Sequence, residues 1–269
     1  ITYTLPTGCI NTIPVTVNLR PAITLSPNVS ICEGDSTILT AAGATTYSWA
    51  PGTGLSATTG ANVTAAPATN STYYVTGTTL GCNAIDSVTV TINTVPTATF
   101  SAASPVCEGS NTPIAYLGSA LGTANYTWGF DGGTIASGSA QGPYQVNWST
   151  AGIKNLTLTV AENGCSSTPF TTTVTVIAVP VSNAGADVTY CSGDSTQLGS
   201  ANTVGYTYNW LPVTDLSNSA VSNPTVSLTN ATNAISTTNY IVTTSDNICS
   251  STDTVSVTVV PVPVATFVR

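Results

Sequence analysis

One pattern of residues occurs three times along the chain, with its parts in the same order each time. A Cys opens each copy, an aromatic-x-Trp triplet and a Tyr- or Leu-rich segment follow, and a second Cys precedes an alternating Val/Thr run. The opening cysteines are Cys32, Cys107 and Cys191, and the second cysteines are Cys82, Cys165 and Cys249. Because corresponding cysteines recur at similar intervals, the chain is predicted to contain tandem copies of one structural unit.

Each copy has the sequence features of short β-strands. Its apolar runs are β-branched and alternate with polar residues, as in 87–92 (SVTVTI) and 254–259 (TVSVTV), and Gly, Pro and Asn separate the runs. No window shows the period of about 3.6 residues expected of an amphipathic helix. Some seven short strands in a unit of this size are typical of a two-sheet sandwich. The sequence therefore predicts an all-β chain of tandem β-sandwich modules in a linear array.

Short junctions that contain Pro separate these modules. The predicted boundaries are 1–20 for the C-terminal part of a preceding module, 21–95, 96–179 and 180–262 for three modules, and 263–269 for the start of a following module. Residues 1–19 match only the end of a module, which accounts for the odd cysteine, Cys9. Since Pro fixes φ and no Gly/Ser-rich tether is present, the junctions are predicted to be semi-rigid.

Composition excludes several classes of function. Charged residues make up 5% of the chain, whereas Thr and Ser together supply about 30%. The surface must therefore be hydrated mainly through hydroxyl groups. A net charge of −8 with three basic residues argues against binding nucleic acid or anionic lipid, and no apolar run predicts a membrane span. Because His is absent and the carboxylates are scattered, we predict no enzymatic activity, no catalytic residue and no cofactor.

Two roles are considered for the tryptophans: packing in a module core and binding a ligand at the surface. Trp49, Trp128 and Trp210 occupy corresponding positions on the predicted third strand, and each is expected to fill a core. Trp148 has no counterpart in the other modules. Packing in the core is favoured for it, and the alternative is that, together with Tyr144, it forms an exposed aromatic platform that binds polysaccharide.

Four aspartates occupy repeated positions beside predicted turns: Asp35, Asp86, Asp194 and Asp253. Capping of turns by their side-chain oxygens is one interpretation. Calcium binding at the module junctions is the other, and it requires about six or more oxygen ligands. No DxDxDG-type loop is present, so no metal site is predicted and calcium remains the alternative.

The repeated motifs resemble those of a known family. A Glu-Gly-Asp-Ser turn at 33–36, the Tyr47-x-Trp49 triplet and a Tyr-rich strand before an alternating final strand resemble immunoglobulin-like repeats of giant Bacteroidota surface proteins. In the middle module, 128–133 (WGFDGG) is similar to a degenerate PKD-domain signature. The resemblance implies immunoglobulin- or PKD-like sandwiches, export by the type IX route and a role in adhesion or gliding at the cell surface. It carries over no catalytic residue.

The same resemblance suggests sites of modification. Asp followed by Ser or Thr and then an apolar residue or Thr resembles the O-glycosylation sequence of Bacteroidota. The residues predicted to carry glycans on this basis are Ser36, Ser87, Ser195 and Thr254.

The cysteines allow two patterns of pairing in an oxidising compartment. Within modules, the pairs are Cys32–Cys82, Cys107–Cys165 and Cys191–Cys249. In an immunoglobulin-like sandwich, however, the turn before the second strand and the hairpin before the last strand lie at opposite ends. We therefore favour bonds between modules, namely Cys32–Cys165 and Cys107–Cys249, with partners of Cys9, Cys82 and Cys191 outside the segment. The pairing within modules remains the alternative.

The expected function is that of a stalk in a large extracellular adhesin or surface filament. Its expected partners are neighbouring modules of the same chain, other copies through self-association into fibres, and an unknown surface or glycan ligand. A polysaccharide-binding module and the spacer domains of a secreted hydrolase are the alternatives.

Overall fold

The computed structural model describes residues 1–4, 6–8 and 10–262. These residues form strands and no helix, which confirms the prediction of an all-β chain. The first two strands, β1 (Thr2–Thr4) and β2 (Ile10–Thr12), pair as an antiparallel hairpin. Cys9 and the predicted start of a following module, 263–269, lie outside the described residues.

Seven strands make up two sheets within 21–95. They are β3 (Thr24–Leu25), β4 (Val29–Cys32), β5 (Thr37–Ala42), β6 (Thr46–Ala50), β7 (Asn62–Ala65), β8 (Ser71–Thr79) and β9 (Cys82–Asn93). One sheet has the order β3-β5-β7 and the other β4-β9-β8-β6. All pairs are antiparallel except β4 with β9, which run in the same direction.

Nine strands make up two sheets within 96–179. They are β10 (Phe100–Ala102), β11 (Val106–Cys107), β12 (Thr112–Tyr116), β13 (Asn125–Gly129), β14 (Thr134–Ser137), β15 (Tyr144–Asn147), β16 (Gly152–Glu162), β17 (Cys165–Ser166) and β18 (Phe170–Ile177). The orders are β10-β12-β15-β14 and β11-β18-β16-β13, with β17 paired to β16. Here β11 and β18 form the parallel pair.

Six strands make up two sheets within 180–262. They are β19 (Val188–Cys191), β20 (Thr196–Gln197), β21 (Thr207–Leu211), β22 (Thr225–Val226), β23 (Ser236–Ser245) and β24 (Ser250–Val260). One sheet has the order β19-β24-β23-β21, and the other contains β20 and β22. The parallel pair is β19 with β24. Each sheet thus draws its strands from a single predicted module.

Alternation along the strands places one set of side chains in a core and the other on the surface. In the first module the core contains Leu39, Trp49, Tyr73, Val75, Val88 and Val90. In the third module it contains Leu198, Trp210, Tyr240, Val242, Val255 and Val257. On the outward side, hydroxyl groups pair between neighbouring strands, with Thr72 and Thr89 oxygens 3.0 Å apart and Thr237 and Thr258 oxygens 3.1 Å apart.

A polar side chain just before each parallel strand fixes its start beside the last strand of the module. These side chains each accept a hydrogen bond from a backbone N–H of that last strand, in the pairs Asn28–Thr89 (2.8 Å), Ser104–Thr175 (3.0 Å) and Asp187–Ser256 (2.8 Å). The same local device therefore holds the first and last strands together in all three modules.

Contacts between residues divide the described chain into two compact units. The first contains Ile1–Ala98, Ser119–Tyr126 and Thr159–Thr168, and the second contains Thr99–Gly118, Thr127–Leu158 and the described residues from Pro169 onward. The middle module contributes segments to both. One disulfide lies within each unit.

Candidate functional site: the disulfide junctions

The two cysteines of a module lie at opposite ends of its last strand. In the first module, Cys32 is paired with Asn93, the final residue of β9, whereas Cys82 is the first residue of β9. Eleven residue steps of extended chain separate these positions, or about 36 Å at about 3.3 Å per residue. Bridged Cα atoms lie about 4.4–6.8 Å apart. The fold therefore prevents a Cys32–Cys82 bond.

The structure instead joins the turn of one module to the hairpin of the next, the pairing that the sequence analysis favoured. Cys32 bonds to Cys165 and Cys107 bonds to Cys249, with a Cα–Cα distance of 5.6 Å in each bridge. The hairpin cysteines, Cys165 and Cys249, are buried, and the turn cysteines are partly buried.

The turn that presents the first cysteine has the same backbone hydrogen bond in all three modules. The cysteine carbonyl accepts from the N–H three residues later, in the pairs Cys32–Asp35 (2.9 Å), Cys107–Ser110 (3.0 Å) and Cys191–Asp194 (3.0 Å). The turn is tight because a glycine with positive φ precedes each of those donors: Gly34, Gly109 and Gly193. Cys191 is exposed and has no disulfide partner within the described residues.

An asparagine accompanies the first bridge. The Asn93 side chain donates to the carbonyl of Asn163, in the hairpin that carries Cys165, over 2.7 Å. Asn18 donates in the same way to the carbonyl of Leu80, beside Cys82, over 3.1 Å. Sequence reasoning missed both asparagines, although each stands three residues before a Pro (Asn18-Leu-Arg-Pro and Asn93-Thr-Val-Pro).

In the third module an aspartate shapes the hairpin that carries the bridge cysteine. Asp246 Oδ1 accepts hydrogen bonds from the backbone N–H groups of Cys249 (2.6 Å) and Ile248 (2.9 Å). These bonds favour the ionised carboxylate and lower the pKa of Asp246. The charged side chain thereby fixes the loop from which Cys249 reaches Cys107.

Trp148 and Tyr144 are both buried, so the packing favoured for Trp148 is what the structure shows, and the alternative of an exposed aromatic platform is wrong. Trp148 is 2% exposed, and its Nε1 donates to the carbonyl of Phe130 over 2.8 Å. Tyr144 is 6% exposed, and its hydroxyl donates to the carbonyl of Ala140 over 3.0 Å. Burial raises the pKa of Tyr144.

The three tryptophans of the Tyr-x-Trp triplets differ in depth. Trp49 and Trp210 lie in the cores, as predicted. Trp128 is only partly buried, with its ring stacked on Phe130 at a centroid distance of 5.6 Å. The predicted core position holds only in part for Trp128, whose ring contacts the buried Phe100 and Tyr144 but stays partly exposed. Its indole N–H still donates to a carbonyl, that of Ala140, over 3.0 Å.

Two of the four repeated aspartates use their side chains as backbone caps. Asp86 accepts from the N–H of Ser87, and Asp253 accepts from the N–H groups of Ala184 and Thr254. Within the part of the chain that the structure describes, no group of three or more Cys, Asp or Glu residues is placed to hold a metal ion.

The four residues predicted to carry glycans are separate exposed positions. Ser36, Ser87, Ser195 and Thr254 are all on the surface, and their modification remains a prediction. No helix able to cross a membrane occurs in the described ranges.

Comparison with solved structures identifies the architecture. The chain superposes on the three immunoglobulin domains I67–I69 of titin with a TM-score of 0.50 and 14% identity, over 90% of this chain and 99% of that one. The fold is that of tandem immunoglobulin domains. A second I67–I69 structure gives a TM-score of 0.49 at 14% identity, over 90% of this chain and 99% of that one. The eight N-terminal immunoglobulin domains of DSCAM give 0.47 at 15%, over 97% of this chain and 39% of that one.

No protein-family profile matches the chain, and no curated protein sequence matches it. At this level of identity the structural likeness shows the fold alone.

Proposed function

We propose that the chain is a load-bearing stalk segment of an extracellular repeat protein and that it has no catalytic site. The observation that supports this most is the disulfide between the turn of one module and the hairpin of the next, which occurs twice with the same Cα–Cα distance of 5.6 Å. Such bridges resist separation of neighbouring modules. They also require an oxidising compartment, as found outside the cell.

Cys82 and Cys191 extend the same scheme to modules that flank the three described here. Cys191 sits in the turn that carries the bonded Cys32 and Cys107 in the other modules. Cys82 sits in a hairpin whose Leu80 carbonyl is held by Asn18, as Asn163 is held by Asn93 beside Cys165. We propose that each bonds to a flanking module. Cys9 would do the same by its place in the repeat.

The finer assignments rest on the sequence resemblance. They are a Bacteroidota surface protein, export by the type IX route, a PKD-like middle module, and glycans on Ser36, Ser87, Ser195 and Thr254. Exposure of these four hydroxyls supports modification, because a glycosylating enzyme needs access to them. Burial of Trp148 and Tyr144 removes the residues on which a polysaccharide-binding function was based. Calcium is not part of the proposal.

Immunogold electron microscopy of intact source cells, with antibody against this segment, tests the proposal. Labelled fibres or surface projections are expected of a stalk. Bare cells with the antigen only in the culture fluid would contradict a surface stalk and favour the spacer of a secreted hydrolase.

A further inference from the structure

The first and last strands of each module lie side by side and run in the same direction. Val29–Cys32 pairs with Val90–Asn93 in the first module. Val106 and Cys107 pair with Val176 and Ile177 in the second. Val188–Cys191 pairs with Val257–Val260 in the third. Every module thus contains two parallel, hydrogen-bonded segments, and each leads to a junction, in the first and second modules by way of the short strands β3 and β10.

The first disulfide connects such segments across a junction. Chain that enters the first module reaches Cys32 at the end of β4, and the bridge passes to Cys165 at the start of β17. From there the chain runs through β18 and the next junction into β19 and ends at Cys191. A short stretch that contains no module body therefore joins Cys165 to Cys191. We call this path the first covalent line.

A second path of the same kind runs beside it. From Cys82 the chain passes through β9, the junction, β10 and β11 to Cys107, outside the segments 33–81 and 108–164, although β10 pairs with β12. The bridge then passes to Cys249, and β24 follows. This path is the second covalent line. In each module, one of the two parallel strands belongs to the first line and its neighbour belongs to the second.

We propose that tension is carried along these two covalent lines and not through the bodies of the modules. We call the segment between the two cysteines of a module its body. Each body connects one line to the other through the peptide chain; the bodies are 33–81, 108–164 and 192–248. The mechanical role rests on the proposed function, whereas the two-line connectivity does not.

Two lines give covalent redundancy. The chain between Cys32 and Cys249 is closed by two overlapping loops, Cys32–Cys165 and Cys107–Cys249, and every peptide bond between the outer cysteines lies inside at least one of them. A single backbone cut anywhere in that range therefore leaves one covalent molecule.

Cleavage with trypsin tests the connectivity, because the chain contains only three Lys or Arg residues. Arg20 precedes a Pro and resists cleavage, Lys154 lies in the body of the middle module, and Arg269 is the last residue. Replacement of two exposed junction residues, Thr94→Arg and Val181→Arg, adds one cut in each line. The oxidised protein is alkylated at free thiols, unfolded without reductant and digested.

The digest yields the fragments 1–94, 95–154, 155–181 and 182–269, and intact mass without reduction shows which of them remain joined. If the two lines are present, the digest contains two disulfide-linked species. In one, fragment 1–94 is joined to 155–181, and in the other, fragment 95–154 is joined to 182–269. Pairing within modules gives three species, in which 95–154 is joined to 155–181, and that result would overturn the proposal. The unsubstituted protein, cut only at Lys154, stays in one piece until it is reduced.

Single-molecule pulling tests whether a line bears the load. Handles are attached by non-thiol chemistry at the exposed positions Ala22 and Val181, which lie on the first line, one before its bridge and the other after it. The extension is expected to stop at about 90 Å, since the line between the handles contains about 26 residues that extend by about 3.5 Å each. The Cys165→Ser variant opens this bridge. The shortest covalent path between the handles then passes through the remaining Cys107–Cys249 bridge and contains about 153 residues, so the final extension is expected to be about sixfold larger.

Extension of the unsubstituted protein beyond this limit without reductant would show that the module bodies bear the load, and it would overturn the proposal. Both experiments use the purified chain. Their failure is therefore distinguishable from failure of the stalk assignment, which the microscopy of whole cells decides.

Discussion

The two outer modules and the middle module fill their cores in different ways. In the outer modules, Trp49 and Trp210 are buried beside Tyr73 and Tyr240, whose hydroxyls donate to the carbonyls of Thr53 and Thr214 over 2.9 Å. In the middle module the corresponding Trp128 is partly exposed. A different tryptophan, Trp148, fills the core there, together with buried Leu156 and Leu158.

The difference shows that the Tyr-x-Trp triplet marks a strand but does not determine how deeply its Trp is buried. In the middle module, Gly133 lies where an added Cβ would be 2.5 Å from Val146 Cγ1 and 2.8 Å from Trp148 Nε1. The indole N–H of Trp148 reaches the carbonyl of Phe130 over 2.8 Å. The segment 128–133 therefore provides both the space and the acceptor for Trp148, and its glycine is coupled to that side chain.

The largest expected effect comes from removing a core tryptophan. Trp210→Ala should destabilise the third module by about 3–5 kcal/mol, because it leaves a cavity among buried side chains. Trp128→Ala should cost the middle module less, because part of that ring already faces water. Hydrogen exchange followed on individual peptides reports the free energy of unfolding of each module separately. An equal or greater loss of stability for Trp128→Ala than for Trp210→Ala would contradict the difference between the outer and middle modules.

Opening one bridge should have the next largest effect. The middle module contributes a cysteine to both bridges, whereas each outer module contributes to one. The double variant Cys107→Ser/Cys249→Ser is expected to lose about 2–4 kcal/mol, as is typical when a disulfide that closes a long loop is removed. Denaturant unfolding of the oxidised proteins gives the difference. Unchanged stability would indicate that the bridge transmits load without stabilising either fold.

Filling the space at Gly133 should have a smaller effect that is confined to the middle module. Gly133→Ala forces the new methyl group against Val146 and Trp148 and is expected to cost about 1–3 kcal/mol. Trp148→Phe in the same chain removes the clash with the indole but not the clash with Val146, so the double variant should lose somewhat less than the sum of the single variants. Additive losses would show that the glycine and the tryptophan act independently.

Loss of a buried tyrosine hydroxyl should have the smallest effect and should introduce a pH signature. Burial, and next the nearby charge of Asp215, raise the pKa of Tyr240 to about 12. A pKa raised on folding contributes stability that is full below pH 10 and is lost as pH rises towards 12. Tyr240→Phe should cost about 1 kcal/mol near neutral pH, because the Thr214 carbonyl loses its donor. Between pH 10 and 12 the variant should approach the unsubstituted protein in stability; a constant gap would contradict the assignment.

The sequence predicted the features that depend on local alternation and on repetition. Alternating Val and Thr placed the strands, and the Glu-Gly-Asp-Ser sequence at 33–36 marked the first of the turns that present cysteines. The pairing across modules followed from the order of the strands, because a long last strand separates the two cysteines of a module.

The sequence did not predict features that depend on packing between distant segments. Burial of Trp148 requires the space at Gly133, on a different segment of the module, and no periodic pattern records that fit. The asparagine contacts at the junctions bring Asn93 to Asn163, across 70 residues. Two matching Asn-x-x-Pro sequences were their only local sign.

The hydroxyl pairs on the outward faces of the strands affect how the stability of the protein depends on salt. Thr72 with Thr89, and Thr237 with Thr258, hold neighbouring strands through neutral groups. Dissolved ions screen interactions between charges over about 10 Å at 0.1 M salt, but they have little effect on contacts between neutral hydroxyls. With only 5% of its residues charged, the chain should keep nearly the same stability from fresh water to brine.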